Sequence, residues 1–183
     1  VRTALFLFVF SEELLRSFLP LYIKTIVGAS SNLNMQFAIS TPIMAYMLMA
    51  GIGTLFGSGL IERLGLHRAF GFSVFISTLS LIGLAFSHTL TEIIIWRCIA
   101  ALGYALAPIA CQIYIAQSAS NGDANVKGLS IFVAAITAAC ICGAPVGAVI
   151  AEIFDQSIAL LFAAMMCLFS WFFFRGMSLP SVE

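Results

Sequence analysis

The segment Gly57-Ser-Gly-Leu-Ile-Glu62-Arg63-Leu-Gly65-Leu-His67-Arg68 is a short charged turn between two long apolar runs. The first of these runs extends from Phe37 to Ile61 and overlaps the start of the segment, and the second extends from Phe70 to Phe86. A helix that crosses a bilayer needs about 20 apolar residues, and each run is close to that length. The segment therefore predicts a tight connection between two membrane-spanning helices, with its charges at the membrane surface.

Four more apolar runs lie on either side of this pair, separated by turn-forming and charged residues at 28–34, 87–89, 118–127 and 155–157. The additional predicted spans are Thr3 to Ile23, Leu90 to Ile115, Leu129 to Ile153 and Ile158 to Phe174. These runs are apolar on all sides, whereas the strands of a membrane barrel alternate apolar and polar residues over about ten positions. The sequence therefore predicts an all-α membrane protein with six transmembrane helices.

The composition agrees with a protein whose surroundings are lipid. Of the 183 residues, 62% are hydrophobic and 9% are charged, whereas a soluble domain carries roughly 25% charged residues. The mean hydropathy is +1.10, and eight basic residues balance eight acidic ones, which leaves no net charge to attract nucleic acid. The sequence also lacks a nucleophile elbow, a His-Glu-x-x-His pair and a phosphate-binding loop. We therefore expect neither an enzyme nor a nucleic-acid-binding protein, and no cofactor or metal site.

The basic residues predict the orientation of the spans. With the N-terminus inside, Lys24 is the one basic residue expected on the outer side. The cytoplasmic segments then hold Arg2, Arg63, Arg68, Lys127 and Arg175. This bias satisfies the positive-inside rule. We expect an integral protein of a plasma membrane, such as the bacterial inner membrane, with both ends of the segment in the cytoplasm.

Four ionisable residues fall inside the predicted spans, where each charge costs about 2.5–3.5 kcal/mol at the bilayer centre. Glu12, Glu13 and Arg16 lie on the first span, and Arg97 lies on the fourth. Both carboxylates are within helical reach of Arg16. The depths of Glu13 and Arg97 differ by roughly 6 Å, which a long arginine side chain can bridge. The sequence predicts a buried, neutral charge cluster that joins the two helices, either as a structural ion pair or as a site where one carboxylate accepts a proton during transport.

The face of the fourth span that carries Arg97 continues through small, kinked and hydrogen-bonding residues, as expected for the wall of a water-filled cavity. Aromatic and amide groups nearby offer a small organic solute an apolar area with a polar handle. The candidate solute-contacting residues are Tyr22, Tyr46, Tyr104, Pro108 and Gln112. The fifth span contains Gly143-Ala-Pro145-Val-Gly147, and the second contains Gly53-x-x-x-Gly57. We expect these glycines to act first in helix packing, with a bend at the proline.

The charged turn resembles the loop signature of the major facilitator superfamily, G-x-L-a-D-R-x-G-R-[RK]. Glu62 takes the acidic position, Arg63 the basic one and Gly65 the turn, and Arg68 ends a shortened basic run. The motif residues in this turn are Gly57, Glu62, Arg63, Gly65 and Arg68. Such a loop can act as a charge clamp, because its carboxylate can cap a helix N-terminus and its cations can bind helix C-termini or the acids of a partner.

Two further runs resemble motifs of the same family. Arg97 and Gly103 are similar to the fourth-span motif R-x-x-q-G-x-g-a, and residues 143–147 are similar to the G-P-x-x-G-G antiporter motif in degenerate form. Leu19-Pro20-Leu21-Tyr22 resembles the usual ending of the first span. The resemblance implies twelve spans in two halves that rock about a midplane site. Residues 1–183 would then be the N-terminal half of a longer chain, with the second half as its partner, Arg97 would couple protons to transport, and the first and fourth helices would line the solute path.

The predicted function is secondary active transport of a small organic solute, coupled to protons by alternating access and similar to the efflux of drugs or metabolites. The alternative is a sensory membrane module that is fused to cytoplasmic signalling domains and transports nothing. Six further spans downstream would favour transport, whereas a kinase or cyclase domain would favour sensing.

Overall fold

The structure, a computed structural model, describes residues 2–28, 32–118 and 122–176. Six helices account for nearly all of these residues, and short connections join them. The helices are α1 (Arg2–Val27), α2 (Asn32–Leu64), α3 (Leu66–Ala85), α4 (Leu90–Ser118), α5 (Gly122–Ile153) and α6 (Gln156–Arg175). The predicted all-α, six-helix architecture is confirmed.

Five helices, α2 to α6, are long and apolar enough to cross a membrane. The remaining helix, α1, is 26 residues long, which also suffices to cross a bilayer. Its composition does not mark it as a span because Glu12, Glu13 and Arg16 occupy its centre. Both acids are nevertheless buried, so α1 lies inside the bundle and its charges are compensated there rather than in water.

Three helices begin at least four residues earlier than the apolar pattern predicts, among them α3, which starts at Leu66 rather than Phe70. α2 starts at Asn32 rather than Phe37, and α5 starts at Gly122 rather than Leu129. The polar residues before each span therefore extend the helix beyond the apolar run, and Asp123 in the first turn of α5 favours this extension. The connections predicted at 28–34 and 118–127 are correspondingly shorter, and their remaining parts, 29–31 and 119–121, lie outside the described residues.

The bundle is organised around two central helices, α1 and α4. α1 packs mainly against α5 and α6, α4 packs mainly against α3 and α2, and contacts between α3 and α6 close one side. Among the described residues, no helix covers the opposite side of α1 and α4, between α2 and α5. We call this side the open face; it includes the exposed side chains of Arg16 and Gln112 and the half-buried Tyr104.

Contacts at the two ends of the bundle show that α1 and α3 run in the same direction and that α6 runs in the opposite one. At one end the Tyr22 hydroxyl of α1 donates to the Leu84 carbonyl of α3 at 2.7 Å. At the other end the Phe174 ring of α6 stacks on Phe70 of α3, with ring centroids 3.9 Å apart, and contacts His67 at 5.3 Å. His67 is half-buried because it belongs to the first turn of α3, which packs on α6. Which end faces the cytoplasm stays a prediction.

A serine stripe on α3 brings that helix close to α4. Ser73 donates to the Gly103 carbonyl at 2.6 Å, and Ser80 donates to the Trp96 carbonyl. Such bonds satisfy hydroxyl groups that would otherwise be unpaired in an apolar environment. The stripe also brings Ser77, which lies between the two donors on the same helix face, to the central helices.

Candidate functional site

Arg97 of α4 is enclosed by groups from two other helices. Its Nη1 lies 3.6 Å from Oε2 of Glu12 on α1, and the side chains are 5% and 3% exposed. Its Cζ lies 3.9 Å from the ring centroid of Tyr46 on α2, a distance at which a cation is attracted to an aromatic face. This sealed pair, Glu12 and Arg97, joins the central helices and is covered by α2.

Arg16 pairs within its own helix instead. Its Nη1 lies 3.1 Å from Oε1 of Glu13, one turn earlier on α1, and its side chain is 46% exposed whereas that of Glu13 is 4% exposed. The predicted cluster of four charges is therefore two ion pairs. The expectation that Glu12 also reaches Arg16 is wrong, because Glu12 pairs with Arg97 across the helix contact. The expectation that all four charges are buried is wrong for Arg16, which reaches the open face.

The sealed pair has little hydrogen-bonding support. Neither oxygen of Glu12 accepts a hydrogen bond from the described residues, and Nε and Nη1 of Arg97 and the Ser77 hydroxyl donate none. Buried polar atoms without such a bond are uncommon and cost about 1–3 kcal/mol each. Attraction between the charges thus stabilises the pair, which makes it sensitive to anything that neutralises Glu12.

Ser77 is a site residue that the sequence reasoning missed. It lies on α3, where the i, i+4, i+7 spacing of Ser73, Ser77 and Ser80 marks one polar face in an apolar helix. That spacing was the available signal. The sequence did not show that Ser77 lies near Glu12, because the rotation of α3 against α4 decides which of the three serines comes nearest to Glu12.

The candidate solute-contacting residues fall into two groups. The Tyr46 and Tyr104 rings lie 5.9 Å apart, with Tyr46 buried and Tyr104 half-buried at the open face. Pro108 is half-buried and Gln112 is exposed, one and two turns further along α4 from Tyr104, so these four residues form one group along α4 and the adjoining part of α2. Tyr22 does not belong to it: its buried hydroxyl is occupied by α3, and ten residues of α1, about 15 Å, separate it from Glu12.

The fifth-span glycines allow α5 to approach α1 beside Glu13. A Cβ at Gly143 would lie 2.7 Å from the Cβ of Glu13, and a Cβ at Gly147 would overlap the backbone carbonyl of Leu14. Pro145 is exposed on another face of α5. On α2, a Cβ at Gly57 would meet Ile109 of α4 at 2.9 Å. The geometry of these glycines agrees with a packing role.

A family model described as Major Facilitator Superfamily matches residues 3–182. The chain belongs to the major facilitator superfamily. Its six helices form an integral membrane protein, as the sequence predicts.

A solved structure with a similar fold is that of the major facilitator superfamily proton:xylose symporter XylE bound to 6-bromo-6-deoxy-D-glucose. The TM-score is 0.83 at 16% sequence identity, and the match covers 96% of this chain and 43% of that one. The chain thus spans less than half the length of that transporter, and at this identity the similarity shows the fold alone. No curated protein matches the chain.

The signature loop of this superfamily member is partly as expected. Gly65 is the single residue between α2 and α3 and has a φ of 79°, which favours glycine. Glu62, Arg63 and Arg68 are exposed, and none of them forms an ion pair with another described residue. The start of α3 has no side-chain cap, so the expected cap by Glu62 is absent there. The clamp of this superfamily loop is therefore not formed among the described residues.

Proposed function

We propose that the complete protein is a secondary active transporter, which moves a small organic solute by alternating access and couples this movement to protons. This chain supplies one six-helix half. The observation that carries the proposal is the sealed pair, in which a carboxylate and a guanidinium that are both buried meet between the central helices α1 and α4.

Proton coupling requires a group whose charge change alters helix contacts. A proton on Glu12 removes the negative charge that holds Arg97 at α1, and loss of the proton restores the attraction. Because ionised groups in an apolar interior need a counter-charge, the two protonation states favour different contacts between α1 and α4. A transporter with two such states can shift between them as protons bind and leave.

The solute path that supports this proposal follows α4 along the open face. Tyr104 supplies a half-buried ring, and Gln112 supplies an exposed amide. Through its contact with Tyr46, which covers Arg97, Tyr104 links this path to the sealed pair. The run at 143–147 offers packing glycines and no group that sets a direction, so the efflux-like direction stays a prediction from the sequence.

The test uses the complete protein in proteoliposomes that contain a pH-sensitive dye. A library of small organic solutes is screened for solute-driven proton flux, and Glu12→Gln and Arg97→Gln are compared with the wild type. We expect both variants to lose flux. The matched control is Glu152→Gln, since Glu152 is an exposed acid of α5, and it should keep wild-type flux. Unchanged flux in Glu12→Gln, Glu13→Gln and the double variant would refute the proton role of these acids.

A further inference from the structure

We infer that Arg16 binds an anionic group of the transported solute, so that the substrates are small organic carboxylates. The inference rests on the proposed transport function and adds the substrate class and the residue that recognises it.

Arg16 is positioned to bind such a group. It lies near the middle of α1, yet its side chain is 46% exposed at the open face. Its ion pair with Glu13 joins one nitrogen to one oxygen at 3.1 Å, whereas a guanidinium carries five N–H donors in a planar fork that suits a carboxylate. Donors therefore remain on Arg16 for a second anion.

The described residues supply no such second anion. Apart from Glu12 and Glu13, their acids are Glu62, Glu92, Asp123, Glu152 and Asp155, all near helix ends. Glu12 is already paired with Arg97. Glu13 balances the charge of Arg16, but the N–H donors that this pair does not use are exposed at membrane depth, where the carboxylate of a solute that reaches them from the open face can accept hydrogen bonds.

A neighbouring aromatic residue completes the site. Tyr104 of α4 is half-buried at the open face, the same face at which Arg16 is exposed. An organic acid can place its carboxylate on Arg16 and its apolar body on the Tyr104 ring, which gives the combination of one oriented charge and a large apolar contact that small-molecule sites use.

Charge balance links the anion to the proton. When Glu12 and Glu13 are both ionised, the charges of the two ion pairs sum to zero. A bound carboxylate adds one negative charge, and a proton on Glu12 compensates for it, so one proton should accompany each monoanion without net charge transfer. The groups that face Glu12 and share this balance are Glu13 and Arg16 of α1, Tyr46 of α2, Ser77 of α3, Arg97 and Tyr104 of α4, and Cys167 of α6.

The experiment measures binding to the complete protein in nanodiscs with matched probes, benzoate against benzamide and 2-naphthoate against 2-naphthamide. We expect each carboxylate to raise the thermal midpoint more than its amide does, and more at pH 5.5 than at pH 8. Arg16→Gln should weaken carboxylate binding about tenfold or more, because a charge-assisted bond is lost. Arg16→Lys, which keeps the charge without the fork, should lose less. Arg175→Gln, which removes an exposed arginine in the last turn of α6, should bind as the wild type does.

A second variant separates recognition from protein stability. In Glu12→Gln the two pairs carry a permanent positive charge, so carboxylate binding should persist at pH 8 and lose its pH dependence. The inference would be overturned if the wild type bound carboxylates no better than their amides. It would also be overturned if Arg16→Gln bound carboxylates as well as the wild type does. That second result is expected if an acid outside this half pairs with Arg16. Proton-coupled flux of a neutral solute that survives Arg16→Gln would overturn the substrate class alone, whereas flux that survives Glu12→Gln and Glu13→Gln refutes the transport proposal.

Discussion

Arg97 and Arg16 are the same residue type at membrane depth, but their surroundings differ. Arg97 takes its carboxylate from another helix and its aromatic cover from a third, whereas Arg16 takes its carboxylate from the preceding turn and leaves half of its side chain exposed. The contacts of Arg97 come from three helices, so they change when those helices move relative to one another. The carboxylate that pairs with Arg16 lies on the same helix, so Arg16 can bind a different anion without a movement of helices. This difference in the origin of the counter-charge is the reason why we propose a coupling role for Arg97 and a binding role for Arg16.

The largest effect on stability is expected when the sealed pair is broken. Arg97→Leu leaves the Glu12 carboxylate buried without a counter-charge, which should cost about 3–5 kcal/mol of stability. Arg16→Leu also leaves a buried carboxylate, Glu13, without its partner, but the Arg16 side chain is 46% exposed and water can replace it from the open face, so the cost should be smaller, about 1–3 kcal/mol. The measurement is the unfolding midpoint of the complete protein in mixed micelles, and Glu12→Leu/Arg97→Leu should recover most of the loss. A larger loss for Arg16→Leu than for Arg97→Leu would invert the comparison.

The next effect is steric and acts beside the pair of Glu13 and Arg16. Gly143→Ala introduces a methyl group 2.7 Å from the Cβ of Glu13, and overpacking of this kind should cost about 1–3 kcal/mol. Gly51→Ala in α2 is the control, because a Cβ there meets no atom within 4 Å. The thermal midpoint should therefore fall in Gly143→Ala, whereas in Gly51→Ala it should equal or exceed that of the wild type. Equal midpoints would show that α5 does not pack tightly at Glu13.

A smaller effect is expected when the aromatic cover of Arg97 changes. Tyr46→Leu removes the ring that lies 3.9 Å from the guanidinium and should cost about 1–2 kcal/mol, whereas Tyr46→Phe keeps the ring and most of the attraction. Solute-driven proton flux and the unfolding midpoint should both fall in the leucine variant. If leucine and phenylalanine variants behave alike, the contact between Tyr46 and Arg97 contributes nothing measurable.

The smallest effect concerns a tyrosine outside the site. Tyr22→Phe removes the hydroxyl that donates to the Leu84 carbonyl at 2.7 Å and to the Ser87 carbonyl at 3.4 Å, and a buried bond between membrane helices averages about 0.6 kcal/mol. Solute-driven flux should stay at the wild-type level while the midpoint falls slightly. Loss of flux without loss of stability would return Tyr22 to the solute path.

The fold followed from the sequence because long apolar runs have few structural alternatives in a membrane. The charged turn at 57–68 was sufficient to place two helices and their connection. The apolar pattern was less informative where helices continue past the lipid, as at Asn32 and Gly122, because a helix outside the membrane does not require apolar residues.

The site was only partly predictable. Helical spacing correctly brought Glu13 to Arg16, since both lie on one helix. The same spacing also allowed Glu12 to reach Arg16, and only the docking of α1 on α4 decides that it pairs with Arg97 instead. Ser77 and the cover by Tyr46 depend on the rotations of α3 and α2, which periodicity in single helices does not determine.

The partners of α1 have a consequence for biogenesis. Translation delivers α1 before α4 and α5 leave the ribosome, so Glu12 emerges when Arg97 has not yet been synthesised. During that interval Arg16 is the one cation at the centre of α1 to balance two acids, and a net negative charge remains in the nascent helix. We therefore expect α1 to stay at the translocon or with an insertion chaperone until α4 arrives.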